Sequence, residues 1–229
     1  MSYTYRSVTF YVNGDERRVH VLETPASNVR PRIINKSLAE TSQVGVNGTF
    51  YDYDAFTDTA GESLGMIYWH YDNNPSDRQT ENEDSQIRKN LITYENSYGN
   101  VVPVTVNAAD LEGVRDSYSN VHAIIGGRSF QSSNYDNNLP YGARDHRTVI
   151  GYSGNIVIMM VTEADFPNST STVPDMLEAI EAAGYNASNF VMIDGGSSSN
   201  MRLGAGPDNF YGGGTGSREL ASMVSLIDV

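Results

Sequence analysis

Cysteine is absent from all 229 residues, which excludes disulfides, thiolate zinc sites and cysteine nucleophiles. No apolar run approaches the roughly 18 residues that a membrane-spanning helix requires. Basic residues are scarce, with 15 Lys and Arg against 28 Asp and Glu and a formal charge of −13. That balance argues against a nucleic-acid backbone as the main partner, because phosphate tracking needs a basic surface. It leaves room for a small phosphorylated ligand held by a few arginines. The start, MSYTYRSVTF, lacks a charged region followed by an apolar one, so no signal peptide is expected. The expected setting is a bacterial cytoplasm or a phage-encoded protein. His20, His70, His122 and His146 are scattered without ligand spacing, no Walker lysine follows a glycine loop, and no H-E-x-x-H occurs.

What is present reads as one domain with a sizeable core. Residues 3–12 and 16–23 are rich in β-branched and aromatic types and flank Asn13-Gly14, a strong hairpin signal because both residues tolerate positive φ. Further strands are expected at 43–47, 64–70, 87–94, 101–106, 121–125, 147–152, 155–162, 189–193 and 218–228. One helix is well signalled, at 172–184. Thr172 is placed to cap it, Asp175 follows three residues later, and Val173, Met176, Leu177 and Ile180 form one apolar stripe. Residues 72–85 and 131–146 read as polar surface loops, too short to divide the chain, and no internal repeat is visible. The expectation is a single α+β domain over 1–229 with a mixed, mainly antiparallel sheet and few helices.

The most informative stretch is helix, buried strand, then Asp194-Gly195-Gly196-Ser197-Ser198-Ser199. An acid at a strand end sits at a sheet edge, and the glycines permit successive N–H groups to point into an anion-binding concavity. The serines add hydroxyl donors. Such a turn suits hydrolysis of a phosphorylated or glycosidic substrate, or it is an ordinary tight turn in which Asp194 bonds its own backbone. His146-Arg147-Thr148 and Arg218 open strands. Arginine suits bidentate capture of phosphate, or each arginine serves a surface ion pair. Asn47-Gly48-Thr49-Phe50-Tyr51-Asp52 also follows a short apolar strand. Weaker matches are Gly61-Glu62-Ser63-Leu64-Gly65, which lacks the buried strand of a nucleophile elbow, and the sequons at Asn35, Asn47, Asn168 and Asn186. Asp52, Asp54 and Asp58 are the only calcium candidates, without the glycine and glutamate of an EF-hand; otherwise no cofactor or metal is expected.

In order along the chain, these pieces resemble the phosphodiester glycosidase family over roughly residues 40–229. NGTFY at 47–51 is similar to its N-G-G-F-F-like segment, and Gly126-Gly127 to its G-G stretch. RTVIG at 147–151 is similar to its R-T-A-I-G strand, and DGGSSSNM at 194–201 to its D-G-G-G-S-S-T-M. Arg218 matches the arginine before its last strand. Thr49, Ser197 and Asn200 depart from the pattern. The resemblance implies hydrolysis of a sugar 1-phosphodiester, with Asp194 as base or nucleophile and Glu163 as a second carboxylate. Arg147 and Arg218 would converge on one phosphate, with the 195–197 backbone as a nest. Asn47, Thr148, Gly195, Gly196, Ser197 and Ser198 would complete substrate binding, and Phe50 or Tyr51 would pack on the sugar. The implied partner is a small sugar-phosphodiester or glycan, such as an exopolysaccharide component, with no nucleic acid and no membrane; the oligomeric state is left open. Two other classes remain, a carbohydrate-binding or tail-type module without turnover and a metal-dependent phosphatase.

Overall fold

In the computed structural model, the described residues are 3–54, 56–57, 59–130, 144–163, 170–205, 209–213 and 217–227. Asp58 and Asn168, and residues 131–143 of the expected second loop, lie outside them. The chain opens with β1 (Thr4–Val12), β2 (Asp15–Pro25), β3 (Val29–Ser37), β4 (Gly45–Asn47), β5 (Tyr51–Asp54) and β6 (Thr59–Ser63). It continues through β7 (Ile67–Trp69), β8 (Arg88–Glu95), β9 (Val101–Ala108), α1 (Leu111–Arg115) and β10 (Val121–Gly126). The last part comprises β11 (Thr148–Ser153), β12 (Ile156–Thr162), α2 (Val173–Ala182), β13 (Val191–Met192), β14 (Asn200–Arg202), β15 (Phe210–Gly212) and β16 (Glu219–Leu226).

These strands form two five-stranded sheets, ordered β1-β2-β12-β11-β13 and β15-β14-β4-β16-β3, a four-stranded sheet β7-β10-β8-β9, and the ribbon β5-β6. Every strand pairing among the described residues is antiparallel. The mainly antiparallel α+β expectation therefore stands, without the parallel pairs that a mixed sheet would add. The first hairpin turns at Asn13 and Gly14, both at positive φ (53° and 89°).

Side-chain alternation explains the layering. Along β12, Val157, Met159 and Val161 face a core shared with Val46, Met201 and Val224 of the second five-stranded sheet. Ile158 and Met160 point the other way, onto Val173, Met176 and Ile180 of α2. A strand covered on both faces must be apolar at successive positions, which is why 156–161 is a continuous hydrophobic run. The expected cap of α2 forms: the Asp175 N–H donates to Thr172 Oγ1 at 3.3 Å, and Asp175 Oδ2 accepts from the Thr172 N–H at 2.8 Å. The buried Arg17 guanidinium pairs with the same carboxylate.

Several elements differ from expectation. β3 carries Pro31 and three cationic residues, Arg30, Arg32 and Lys36, a composition that hides a strand; as the last strand of its sheet it tolerates a residue without an N–H. α1 is only five residues long and contains Gly113, so its one visible signal is Asp110, whose side chain accepts the Gly113 N–H at 2.7 Å. No helix among the described residues is long and apolar enough to cross a membrane.

Candidate active site

The turn after β13 carries the chain from one five-stranded sheet to the other. The Ile193 N–H donates to the Thr148 carbonyl of β11 at 3.1 Å, and the Asp194 N–H to the Gly48 carbonyl just past β4 at 3.3 Å. By Asn200 the chain is in β14 of the second sheet. Between them Gly196–Ser198 make one 3-10 turn, entered with Gly196 at φ +63°. That left-handed backbone favours glycine, and a Cβ there would also meet Asp145 Oδ2 at 3.2 Å.

The underside of this turn is a buried polar seam. Asn47 is 0% exposed. Its Nδ2 donates to the Asp194 carbonyl at 2.8 Å, while its Oδ1 accepts from Thr148 Oγ1 at 2.8 Å and from the Asn200 N–H at 3.2 Å. One amide thus ties β4, β11 and β14 to the residue that turns between the sheets. Thr148 is equally buried. Arg147, 3% exposed, donates from Nε to the Ser171 carbonyl at 3.1 Å, and its Nη1 lies 3.6 Å from where a Cβ on Gly195 would stand.

The open side is aromatic and cationic. Arg218 donates from Nε to the Tyr51 hydroxyl at 3.1 Å and from Nη1 to Ser197 Oγ, and its guanidinium lies 3.7 Å from the centroid of the Tyr53 ring. The Tyr51 hydroxyl donates to the Glu219 carbonyl at 3.0 Å and stands 3.1 Å from Ser198 Oγ. Burial pushes this hydroxyl above its ordinary range, against the pull of Ser198 and Arg218. Asp194 keeps some accessible surface, yet its neighbours crowd the carboxyl so closely that burial pushes it up to about 6. Hydrogen bonds from Ser198 and the Gly195 N–H and the charge of Arg218 oppose that rise, while the charge of Asp145 adds to it.

The expected site residues fall into three places. Asp194, Tyr51, Ser197, Ser198 and Arg218 meet at the open side. Asn47, Thr148 and Arg147 lie beneath the turn; the first two, expected on the substrate, instead direct their polar atoms into the protein. Gly195 and Gly196 form the turn, and the Gly196 N–H, expected to point outward, donates to the His146 carbonyl at 2.8 Å. Glu163 and Phe50 stand apart. Glu163 Oε2 is 3.3 Å from Arg18 Nη1, and its Oε1 is 4.0 Å from His20 Nε2. Phe50 is 8% exposed within the core on the α2 side, with the Arg128 guanidinium 5.1 Å from its ring.

Asp52 and Asp54 turn their carboxylates to the N–H groups of Tyr53 (3.0 Å) and Phe56 (2.8 Å). Among the described residues no three His, Asp or Glu side chains are grouped as a metal site. Ser63 ends β6 rather than a nucleophile elbow. Sequence reasoning missed Tyr53 and Asp145. Tyr53 was findable, because it lies two residues beyond Tyr51 on one face of a strand.

The phosphodiester glycosidase family model matches residues 40–226. No curated sequence relative matches. The fold is similar to the zebrafish N-acetylglucosamine-1-phosphodiester alpha-N-acetylglucosaminidase catalytic domain, auto-inhibited by its pro-peptide. There the TM-score is 0.64 at 12% identity, covering 100% of this chain and 83% of that one. A hypothetical protein from Synechocystis gives 0.63 at 9% identity (98% and 62% covered). A Burkholderia pseudomallei protein described as exported gives 0.65 at 9% (93% and 74% covered). The match takes in the Asn47 strand, the Arg147 strand, the Asp194 turn and Arg218, and the chain belongs to the phosphodiester glycosidase family.

Proposed function

We propose that this protein hydrolyses the C1–O bond of a sugar 1-phosphodiester, releasing the sugar and a phosphomonoester. The observation that carries the reading is the meeting of a crowded carboxyl, Asp194, with a guanidinium, Arg218, on one glycine turn. A phosphomonoester leaves readily, because its second pKa is only about 6. The reaction therefore needs little proton donation to the leaving group. It needs positive charge at the departing phosphate and a carboxylate near an oxocarbenium-like sugar. Arg218 is the proposed contact to phosphate, with Arg147 adding charge from beneath the turn. Tyr51 holds Arg218 and Ser198 in register, and Tyr53 backs the guanidinium.

In the proposed reaction, oxygen from water or from Asp194 bonds to C1 as the C1–O bond breaks, and the bonding pair leaves on phosphate. A direct attack by water gives its proton to Asp194, with inversion at C1. A covalent glycosyl-Asp194 intermediate gives retention. Proton NMR of the first-formed anomer separates the two.

The test is turnover of a panel of α-linked sugar 1-phosphodiesters of small alcohols, with and without chelator. Free sugar and phosphomonoester, without inorganic phosphate, are the expected products. Inorganic phosphate released from a monoester would replace this reading with a phosphatase. Sugar binding without any product would replace it with a binding module.

A further inference from the structure

Glycoside hydrolysis ordinarily uses two carboxyl groups flanking the scissile bond, and Glu163 is committed to Arg18 beside His20. Asp145 is better placed. Its Oδ2 packs on the site's own turn, so close to Gly196 that a Cβ there would approach within 3.2 Å. Its Oδ1 accepts the His146 N–H at 2.8 Å. Its backbone is fixed by a reciprocal pair with Ser171: the Asp145 N–H donates to the Ser171 carbonyl at 3.2 Å, and the Ser171 N–H donates back at 2.8 Å. The Ser171 carbonyl also receives Arg147 Nε. Main chain and arginine are held on one anchor, and the Asp145 carboxylate is aimed at the turn.

We propose that Asp145 is the second carboxylate of the site, acting with Asp194 from the other end of the Gly195–Gly196 turn. The proposal rests on the reaction proposed above. There, the proton lost when water adds to C1 is taken by this carboxylate pair and returned to solvent, while the leaving phosphate carries the bonding electrons.

The groups facing Asp194 are Ser198, Tyr51 and Arg218 on the open side and Asp145 from the segment leading into β11, with Arg147 beside Gly195. Beside Asp145, the His146 ring is held below its ordinary range by burial, with the Asp145 charge opposing.

Asp145→Asn removes one negative charge from this set and keeps the shape. The Asp194 carboxyl, followed by carbon-13 NMR, should then titrate about half a pH unit lower, roughly a threefold loss of proton affinity. The acid limb of the kcat/KM profile should move with it, and kcat should fall at least tenfold. Glu163→Gln should leave both unchanged.

An unmoved Asp194 titration overturns the proposal, and so does a shifted titration with kcat within twofold of wild type. If Asp145→Asn does not fold, Asp145→Ser decides by the same two readouts, the Asp194 titration and kcat. The titrations need no substrate, so they fail or succeed separately from the cleavage of sugar phosphodiesters.

Discussion

The two sides of the Asp194 turn are built from opposite materials. Beneath it, Asn47 and Thr148 are fully enclosed, and Asn47 bonds three separate strands or strand ends. Above it, Tyr51, Tyr53, Ser197 and Arg218 form a partly open layer in which one guanidinium is shared between a hydroxyl, a phenol and a ring face. Arg147 and Arg218 show the difference within one residue type. One is locked below the glycines onto a carbonyl, and the other lies on a tyrosine at the surface. On the proposed reading, a side chain beneath the turn governs folding, and one above it governs what the turn can hold.

The largest effect expected from breaking this arrangement is at Asp194 itself. Asp194→Asn should lower kcat at least 10³-fold, about 4 kcal/mol of transition-state stabilisation, in an assay with the best diester of the panel. Its thermal stability should not fall. The carboxyl is raised in the folded state to about 6, so the native protein binds the extra proton, and wild-type stability declines as pH rises from about 4 through 6. The asparagine variant lacks that decline. It should match or exceed the wild-type melting temperature at pH 7.5, with the advantage gone at pH 4.

Next comes the seam. Asn47→Ala leaves the Thr148 hydroxyl, the Asn200 N–H and the Asp194 carbonyl without their partner, and should cost about 2–4 kcal/mol in urea unfolding. A loss under 1 kcal/mol would show that the buried side is not structural. Arg218→Ala should instead reduce kcat/KM by about 10–100-fold, within the range for a charge-assisted contact, with little movement in melting temperature. A large stability loss without a kinetic effect would erase the distinction between the two sides. Smallest of all, Tyr53→Leu removes the ring under Arg218 and should cost roughly threefold in kcat/KM, matching an exposed cation–π contact of about 0.5–1 kcal/mol.

Much of the fold was legible because burial on two faces makes a strand apolar at consecutive positions, as in β12 and β16. The α2 cap was legible because Thr172 and Asp175 have the spacing the geometry needs. β3 was not, since an edge strand can carry Pro31 and charged residues that sequence reasoning assigns to loops. Within the site, an acid before two glycines marked the turn, yet nothing local told which neighbours lie above or below it. Asn47 reads as a binding residue because its amide is polar, and only the 147-residue separation closed by its bond to Asp194 reveals it as a stitch. Asp145 stood at the end of a polar stretch that gave no sign of where its carboxylate points.

Because the turn is also the crossover between the sheets, the proposed reactive geometry has no independent scaffold. Sliding one sheet over the other by a single residue would carry Asn47 away from Thr148, while its bond to Asn200 stays within its own sheet. A peripheral loop can loosen while the body of an enzyme stays intact, but here the proposed chemistry sits on the joint itself. Loss of activity on heating should therefore run along the same curve as loss of the sandwich, making turnover a direct gauge of whether the two halves are still in register.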